Sequence, residues 1–281
     1  MRVYLLLTFL FISHSTFAQT PTRALAPISS GDETMFGTWL LAEGIGPHPT
    51  AVLLHGHPGS PVLRDAVYET VGGLALPLWE AGFNVLAFNY RGSWGNGGRY
   101  SFDNRIEDVE AALRYVRENA EEMDVDASQI SVIGHSAGGW NALIAGIEDR
   151  SIACTVGIAP GGRGSASSRL IPEGEEPPGF DNAVVGLSGY TGRDTYNDLQ
   201  VRVDPTPRMS EFRNRPLLLI EALQDVVVPA PVVERYVIAA EEAGANPFEH
   251  VQIDTDHNLR AGNGLADLEA TVIPWMTENC K

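Results

Sequence analysis

Apolar positions along the chain recur with two periods, one of two residues and one of three to four. After a polar lead-in, residues 34–42 (TMFGTWLLA) and 50–54 (TAVLL) read as strands separated by the turn-rich GIGPHP. Residues 65–81 place Val67, Val71, Leu74 and Leu78 at helical spacing, and FNVLAFN at 83–89 is a short continuous apolar run of strand type. From about Asn104 a second helix gathers Ile106, Val109, Ala112, Leu113 and Val116 on one face. The pattern then alternates: strand at 129–134 (QISVIG), helix at 136–147, strand at 152–159, strand at 216–222 (PLLLIEA), helix at 230–243, strand at 248–253 (FEHVQI) and helix at 263–278. Two strands followed by repeated strand-helix units predict an α/β fold, a mostly parallel sheet with helices on both faces.

Two stretches break this rhythm. Residues 160–215 are rich in Gly, Pro, Ser and charges of both signs, and are longer than an ordinary connection. They read either as a surface insertion or as a short lid over the mouth of the sheet, because inserted loops at strand ends are where such folds build their sites. At the other end, Met1-Arg2, the apolar run VYLLLTFLFI and the small-residue close at Ala18 form the three parts of an export signal. A signal peptide over 1–18 and a single domain over 19–281 are expected, with a periplasmic or secreted destination; an N-terminal anchor or a short buried helix is the competing reading. The apolar run is too short to span a bilayer, so no stable membrane span is expected after cleavage.

Composition narrows the chemistry. The chain has 281 residues, 44% of them apolar, and a formal charge of -17, so attraction to nucleic-acid phosphates or anionic lipid works against it. Its one lysine is Lys281, at a position expected to fray, which removes every mechanism that needs an internal lysine. Two cysteines allow one disulfide in an oxidising compartment. Cys154 falls early in the 152–159 strand and Cys280 follows the last helix, which should run antiparallel to the strands toward the same sheet edge, so the two are expected to join; the competing reading is a buried small hydrophobe and a free thiol. Neither has zinc-site spacing.

The chemistry centres on Gly134-His135-Ser136-Ala137-Gly138-Gly139. A G-x-S-x-G between an apolar strand and a small-residue helix is a nucleophile elbow: the serine occupies a strained turn and the glycines let strand and helix approach. The plain alternative is a serine capping a helix. A serine needs a base and an orienting acid. His257, in the loop DTDHNL between the last strand and last helix, is the candidate base; Asp225 in LQDVVVP, after the preceding strand, is the candidate acid, ahead of Glu221, Asp254 and Asp256. Oxyanion donors are expected from the backbone N–H of Ala137 at the helix start and of His57 in the loop HGHPGS. His55 and His57 could instead suggest a metal, but Gly59 interrupts the H-x-H-x-D run that a binuclear zinc hydrolase would use.

HGHPG at 55–59, YRGSWGNGG at 90–98, GHSAGG at 134–139, LQDVVVP at 223–229 and TDHN at 255–258 together resemble the α/β-hydrolase superfamily, in its Ser, Asp, His order. The resemblance implies an eight-stranded sheet, a Ser136-His257-Asp225 triad and acyl transfer without cofactor or metal on a small ester or short peptide. YRGSWGNGG is also similar to the hydrolase domain of prolyl-oligopeptidase-like peptidases, from which Ala137 departs where those usually have tyrosine. The expectation is therefore an exported carboxylesterase; a serine exopeptidase is the second reading and a non-catalytic binding protein of the same fold the third. For a peptidase, Arg91 and Arg99, or Glu173, Glu175 and Glu176, are the candidate anchors for a substrate terminus, although surface ion pairing explains them equally. Oligomeric state is not legible in the sequence.

Overall fold

The computed structural model describes residues 20–56, 73–98, 100–162 and 204–281. These residues form one eight-stranded sheet: β1 (Thr22–Ser30), β2 (Glu33–Leu41), β3 (His48–Leu54), β4 (Asn84–Phe88), β5 (Val125–His135), β6 (Thr155–Ile158), β7 (Leu217–Ala222) and β8 (Phe248–Ile253). The spatial order is β1-β2-β4-β3-β5-β6-β7-β8. β1 and β2 pair antiparallel, as do β2 and β4, and all later neighbours are parallel. The mostly parallel sheet with helices on both faces is thus the expected α/β architecture.

Five helices lie among the described residues: α1 (Ala75–Glu80), α2 (Phe102–Glu118), α3 (Ala137–Glu148), α4 (Ala230–Ala243) and α5 (Gly264–Asn279). Successive residues of a strand point to opposite faces, so the central strands must be apolar throughout to bury both. Val52 and Leu54 of β3 join the cluster under α2 and α3, while Ala51 and Leu53 join the one under α1 and α5. In β7 the same division sends Leu217 and Leu219 toward α4 and Leu218 and Ile220 toward α5. α2 starts at Ser101, whose hydroxyl accepts the Asn104 N–H at 3.1 Å.

Four expectations change. The polar lead-in contains β1: its edge position tolerates Pro27, and alternation buries Ala26, Ile28 and Ser30 while Leu25 stays exposed. Within the 160–215 insertion, residues 163–203 lie outside the described residues. Residues 206–212, however, form a 3₁₀ helix whose Met209 and Phe212 are buried with Leu143, Ile147 and Val232, so this part is core and not cover. The strand expected at 152–159 shortens to β6, so Cys154 sits one residue before its N-terminal edge, where it forms the expected disulfide with Cys280, with 5.7 Å between Cα atoms. Lys281 does not fray: its ammonium donates to the Ala81 carbonyl at 2.6 Å and lies over the Phe83 ring. The export signal expected at 1–18 lies outside the described residues. Among those that are described, no helix is long and apolar enough to cross a membrane.

Candidate active site

Register brings the site loops to one level. Leu54 of β3 lies beside Gly134 of β5, Gly134 beside Gly157 of β6, and Ile158 beside Ile220 of β7. The loops that follow these strands therefore emerge together at the carboxyl edge of the sheet, where open α/β sheets hold their ligands.

Ser136 links β5 to α3 with φ 56° and ψ -119°, a backbone that L-residues rarely occupy. Its N–H donates to Ile158 O and its carbonyl accepts from Trp140 and Gly161, so the strained peptide is held at both ends. The glycines around it are required by contact. A Cβ on Gly134 would lie 2.0 Å from the Gly138 carbonyl oxygen, and one on Gly138 would lie 2.0 Å from that of Leu54. The sharp turn leaves Ser136 Oγ at the mouth of the elbow and the N-terminus of α3 beneath it.

His257, in the loop after β8, donates its Nδ1–H to Asp225 Oδ2 at 2.6 Å and accepts the Ser136 hydroxyl on Nε2 at 3.0 Å. Asp225 follows β7, and its other oxygen accepts the N–H groups of Val227 at 2.7 Å and Val228 at 2.8 Å. Those two bonds fix the carboxylate so that Oδ2 faces the imidazole. The three residues expected from chain order are thus brought together from 121 and 32 residues apart. Their rivals are occupied elsewhere. Glu221 lies within β7 and accepts from His250 and Gln252 of β8; Asp254 accepts from Gln224; Asp256 caps the amides of Arg260 and Ala261 in the histidine loop.

The Ala137 amide opens α3, among the first-turn N–H groups that have no partner within a helix. His57 lies outside the described residues, but Gly56 before it sits against the elbow: a Cβ there would meet Ser136 Cβ at 3.2 Å. His55 donates from Nδ1 to Gly56 O at 2.7 Å and accepts the Tyr90 N–H on Nε2 at 3.3 Å, a pattern that only the neutral Nδ1–H tautomer satisfies. Its ring packs against Tyr90 and Trp94, so both nitrogens shape the loop. Among the described residues, no three His, Cys, Asp or Glu side chains converge to hold a metal ion.

Arg91 is not a substrate anchor. Its Nε donates to Asp108 Oδ1 at 2.5 Å, its backbone N–H to Asp108 Oδ2 at 2.9 Å and its Nη2 to Glu107 at 2.7 Å, while the Ser30 hydroxyl also donates to Asp108. The side chain is 9% exposed, because α2 closes over it. Arg99, Glu173, Glu175 and Glu176 lie outside the described residues. One site residue gave no sequence signal beyond its place in the motif: His135, buried directly before Ser136, donates from Nε2 to the main-chain carbonyl of His257 at 2.8 Å. Burial first, and the neighbouring His257 second, push its pKa down to about 3.

Comparison with known proteins gives the same architecture. The BD-FAE family model matches residues 42–158, from the end of β2 to the end of β6. The uncharacterized protein Rv2307c of Mycobacterium tuberculosis is 28% identical over 226 residues, which cover 76% of this chain and 66% of that protein, so the chain spans just under two thirds of that relative. Among solved structures, the esterase Pf2001 of Pyrococcus furiosus superposes with a TM-score of 0.67 at 20% identity, covering 93% of this chain and 94% of that one. Est1E of Butyrivibrio proteoclasticus, solved with ferulic acid bound, gives 0.69 at 16% identity over 90% and 98%. The chain has the α/β-hydrolase fold.

Proposed function

We propose that this α/β-hydrolase chain is an exported serine hydrolase that cleaves carboxylic esters through an acyl-enzyme. The observation that carries the reading is the unbroken hydrogen-bond line Asp225–His257–Ser136, with Ser136 on a strained elbow at a helix N-terminus. In this reading His257 Nε2 takes the hydroxyl proton as Ser136 Oγ adds to the ester carbonyl, and Asp225 stabilises the imidazolium that forms. The backbone N–H groups of Ala137 and His57 donate to the developing oxyanion. Collapse of the tetrahedral adduct breaks the bond to the alcohol oxygen, which receives the proton from His257. Water then enters and gives a proton to the same nitrogen as its oxygen adds to the acyl carbonyl; collapse breaks the bond between that carbon and Ser136 Oγ, which takes the proton back from His257 as the acid leaves.

Export is supported by the Met1–Ala18 sequence pattern and by the Cys154–Cys280 disulfide, which suits an oxidising compartment. Small and medium acyl groups are the expected substrates, and a hydroxycinnamoyl ester belongs in the test set because Est1E is solved with ferulic acid bound.

The test is fluorophosphonate labelling followed by a matched panel of p-nitrophenyl esters and N-terminally free aminoacyl anilides. Label on Ser136, loss of label and turnover in Ser136→Ala, and kcat/KM far higher for esters than for anilides are expected. Comparable values for the two substrate types would overturn the ester reading in favour of an exopeptidase. Labelling without turnover of any substrate would favour a binding protein.

A further inference from the structure

The two residues on the N-terminal side of the elbow turn divide the work unexpectedly. Ser136 faces His257 from one side, with its hydroxyl 3.0 Å from Nε2. His135, the residue before it, reaches the same histidine from the backbone side, donating Nε2–H to the His257 carbonyl at 2.8 Å across 122 residues of chain. The two imidazole rings lie 4.9 Å apart, centre to centre, and tilted by 43°. One dipeptide therefore holds both the hydroxyl that the base serves and the main chain that carries the base.

The loop bearing His257 lies between β8 and α5 and belongs to neither, so its geometry depends on bonds outside the regular elements, among them Gln224 N–H to Thr255 O and Leu259 N–H to Asp256 O. Thr255 donates to Ala261 O, and Asp256 accepts from Arg260 and Ala261; these close the loop upon itself. Gln224 and Asp225 tie the loop to the end of β7, and the His135 bond adds a tie to the end of β5, on the side of the nucleophile. His135 is only 1% exposed, and its Nδ1 has no hydrogen-bond partner. An apolar side chain would fill this core position without the cost of the unpaired Nδ1, but would leave the His257 carbonyl without this donor. The imidazole is explained by the donor at Nε2 that an apolar residue lacks.

We propose that His135 is a positioning residue that sets the distance between His257 Nε2 and Ser136 Oγ by holding the His257 carbonyl throughout acyl transfer. It touches no substrate. The inference rests on the serine-hydrolase reading above and deepens it. During the cycle His257 alternates between neutral and charged, and its attraction to Asp225 changes with it. A main chain fixed at the carbonyl keeps that change from moving Nε2 away from the serine.

Two variants separate the donor from the volume. His135→Gln places an amide N–H close to the position of the imidazole Nε2–H; His135→Leu fills space and donates nothing. The rate of fluorophosphonate labelling of Ser136 should fall roughly 10-fold to 100-fold in His135→Leu, the scale expected when a catalytic group is displaced by a fraction of an ångström to an ångström. KM for a p-nitrophenyl ester should stay near wild type while kcat falls with the labelling rate, and His135→Gln should restore most of both. Labelling of His135→Leu at the wild-type rate would overturn the proposal. So would equal losses in both variants at unchanged thermal midpoint.

A measurement on the wild type covers the case of a variant that does not fold. In the nitrogen NMR spectrum of imidazole-labelled protein, His135 should carry its proton on Nε2, protected from exchange, and stay neutral from pH 8 to pH 5. A ring protonated on Nδ1, or one titrating near 6.5, would overturn the proposal. Failure to turn over any ester would remove the ester reading alone, because neither the labelling rate nor the ring tautomer depends on it.

Discussion

Asp108 and Asp225 are both buried aspartates, both accept backbone N–H groups, and both face a basic side chain, yet they do opposite things. Asp108 lies in α2 with its side chain fully enclosed, and receives the Ser30 hydroxyl, the Arg91 amide and the Arg91 guanidinium. Asp225 lies in a loop and receives two amides and the His257 imidazole, which continues to Ser136. The difference is the partner. A guanidinium keeps its charge at every accessible pH, so its carboxylate becomes a permanent staple between β4's exit loop, β1 and α2. An imidazole can lose its proton, so its carboxylate becomes the fixed end of a proton circuit.

The largest effect that tests this contrast is on rate. Asp225→Asn should lower kcat for an ester by about 10⁴-fold, as expected when an orienting carboxylate is neutralised and the imidazole takes the wrong tautomer. Thermal unfolding should show little change, and a loss of rate below tenfold would mean that Asp225 does not orient the base. Asp108→Ala should do the reverse. Breaking a buried ion pair costs up to about 3–5 kcal/mol of stability, and Glu107, which still accepts from Arg91, should keep the loss below the top of that range. Urea unfolding would measure that loss, while turnover per fluorophosphonate-titrated site should stay near wild type; a low turnover per site would show that the staple reaches the chemistry.

pH sharpens the contrast next, through a third buried polar group whose partner is a carbonyl. The His135 pKa is lowered from 6.5 to about 3, so between those values the unfolded chain holds a proton that the folded chain does not. Its contribution to stability is present above pH 6.5 and is lost as pH falls toward 3, at up to about 1.4 kcal/mol per pH unit. Asp225 and His257 are the charged and titratable groups acting on it. Urea midpoints from pH 7 to pH 4 should fall less steeply in His135→Gln than in wild type. An unchanged slope would mean that the ring is protonated in the folded state. The smallest effect concerns the helix that presents Asp108: Ser101→Ala removes its N-cap and should cost about 1 kcal/mol with no change in kcat.

What the sequence made legible follows how far apart the interacting residues lie. The elbow is six consecutive residues between a strand and a helix, and its crowding is written in Gly134 and Gly138. α4 and β8 occupy the ranges that periodicity indicates, 230–243 and 248–253; α4 buries a regular face, while β8, at the sheet edge, fully buries only Ile253. β1 was hidden since an edge strand buries only alternate residues and carries Pro27. The 3₁₀ helix was hidden because two buried side chains, Met209 and Phe212, set no period in a stretch of turn-forming composition. Arg91 stayed open between a substrate anchor and a surface ion pair since nothing local marks Asp108, 17 residues on, as its buried partner. His135 was missed for the same reason at greater range: its bond to the His257 carbonyl joins a side chain to a backbone atom, which no residue pattern encodes. The N-terminal signal, His57 and residues 163–203 concern segments beyond the described residues.

The Cys154–Cys280 bond also fixes a load path. It closes a covalent ring around β6, β7, α4, β8 and α5, which contains Asp225 and His257 and leaves Ser136 outside. Tension applied at Lys281 passes from Cys280 straight to Cys154 and on toward β5, and the ring between them carries none of it. Stretching the oxidised protein between its ends would therefore leave roughly 400–450 Å of chain unextended that the reduced protein would release, at 3.3–3.6 Å per residue over the 126-residue separation. The half of the sheet that supplies the acid and the base is mechanically shielded; the half that supplies the nucleophile bears the force.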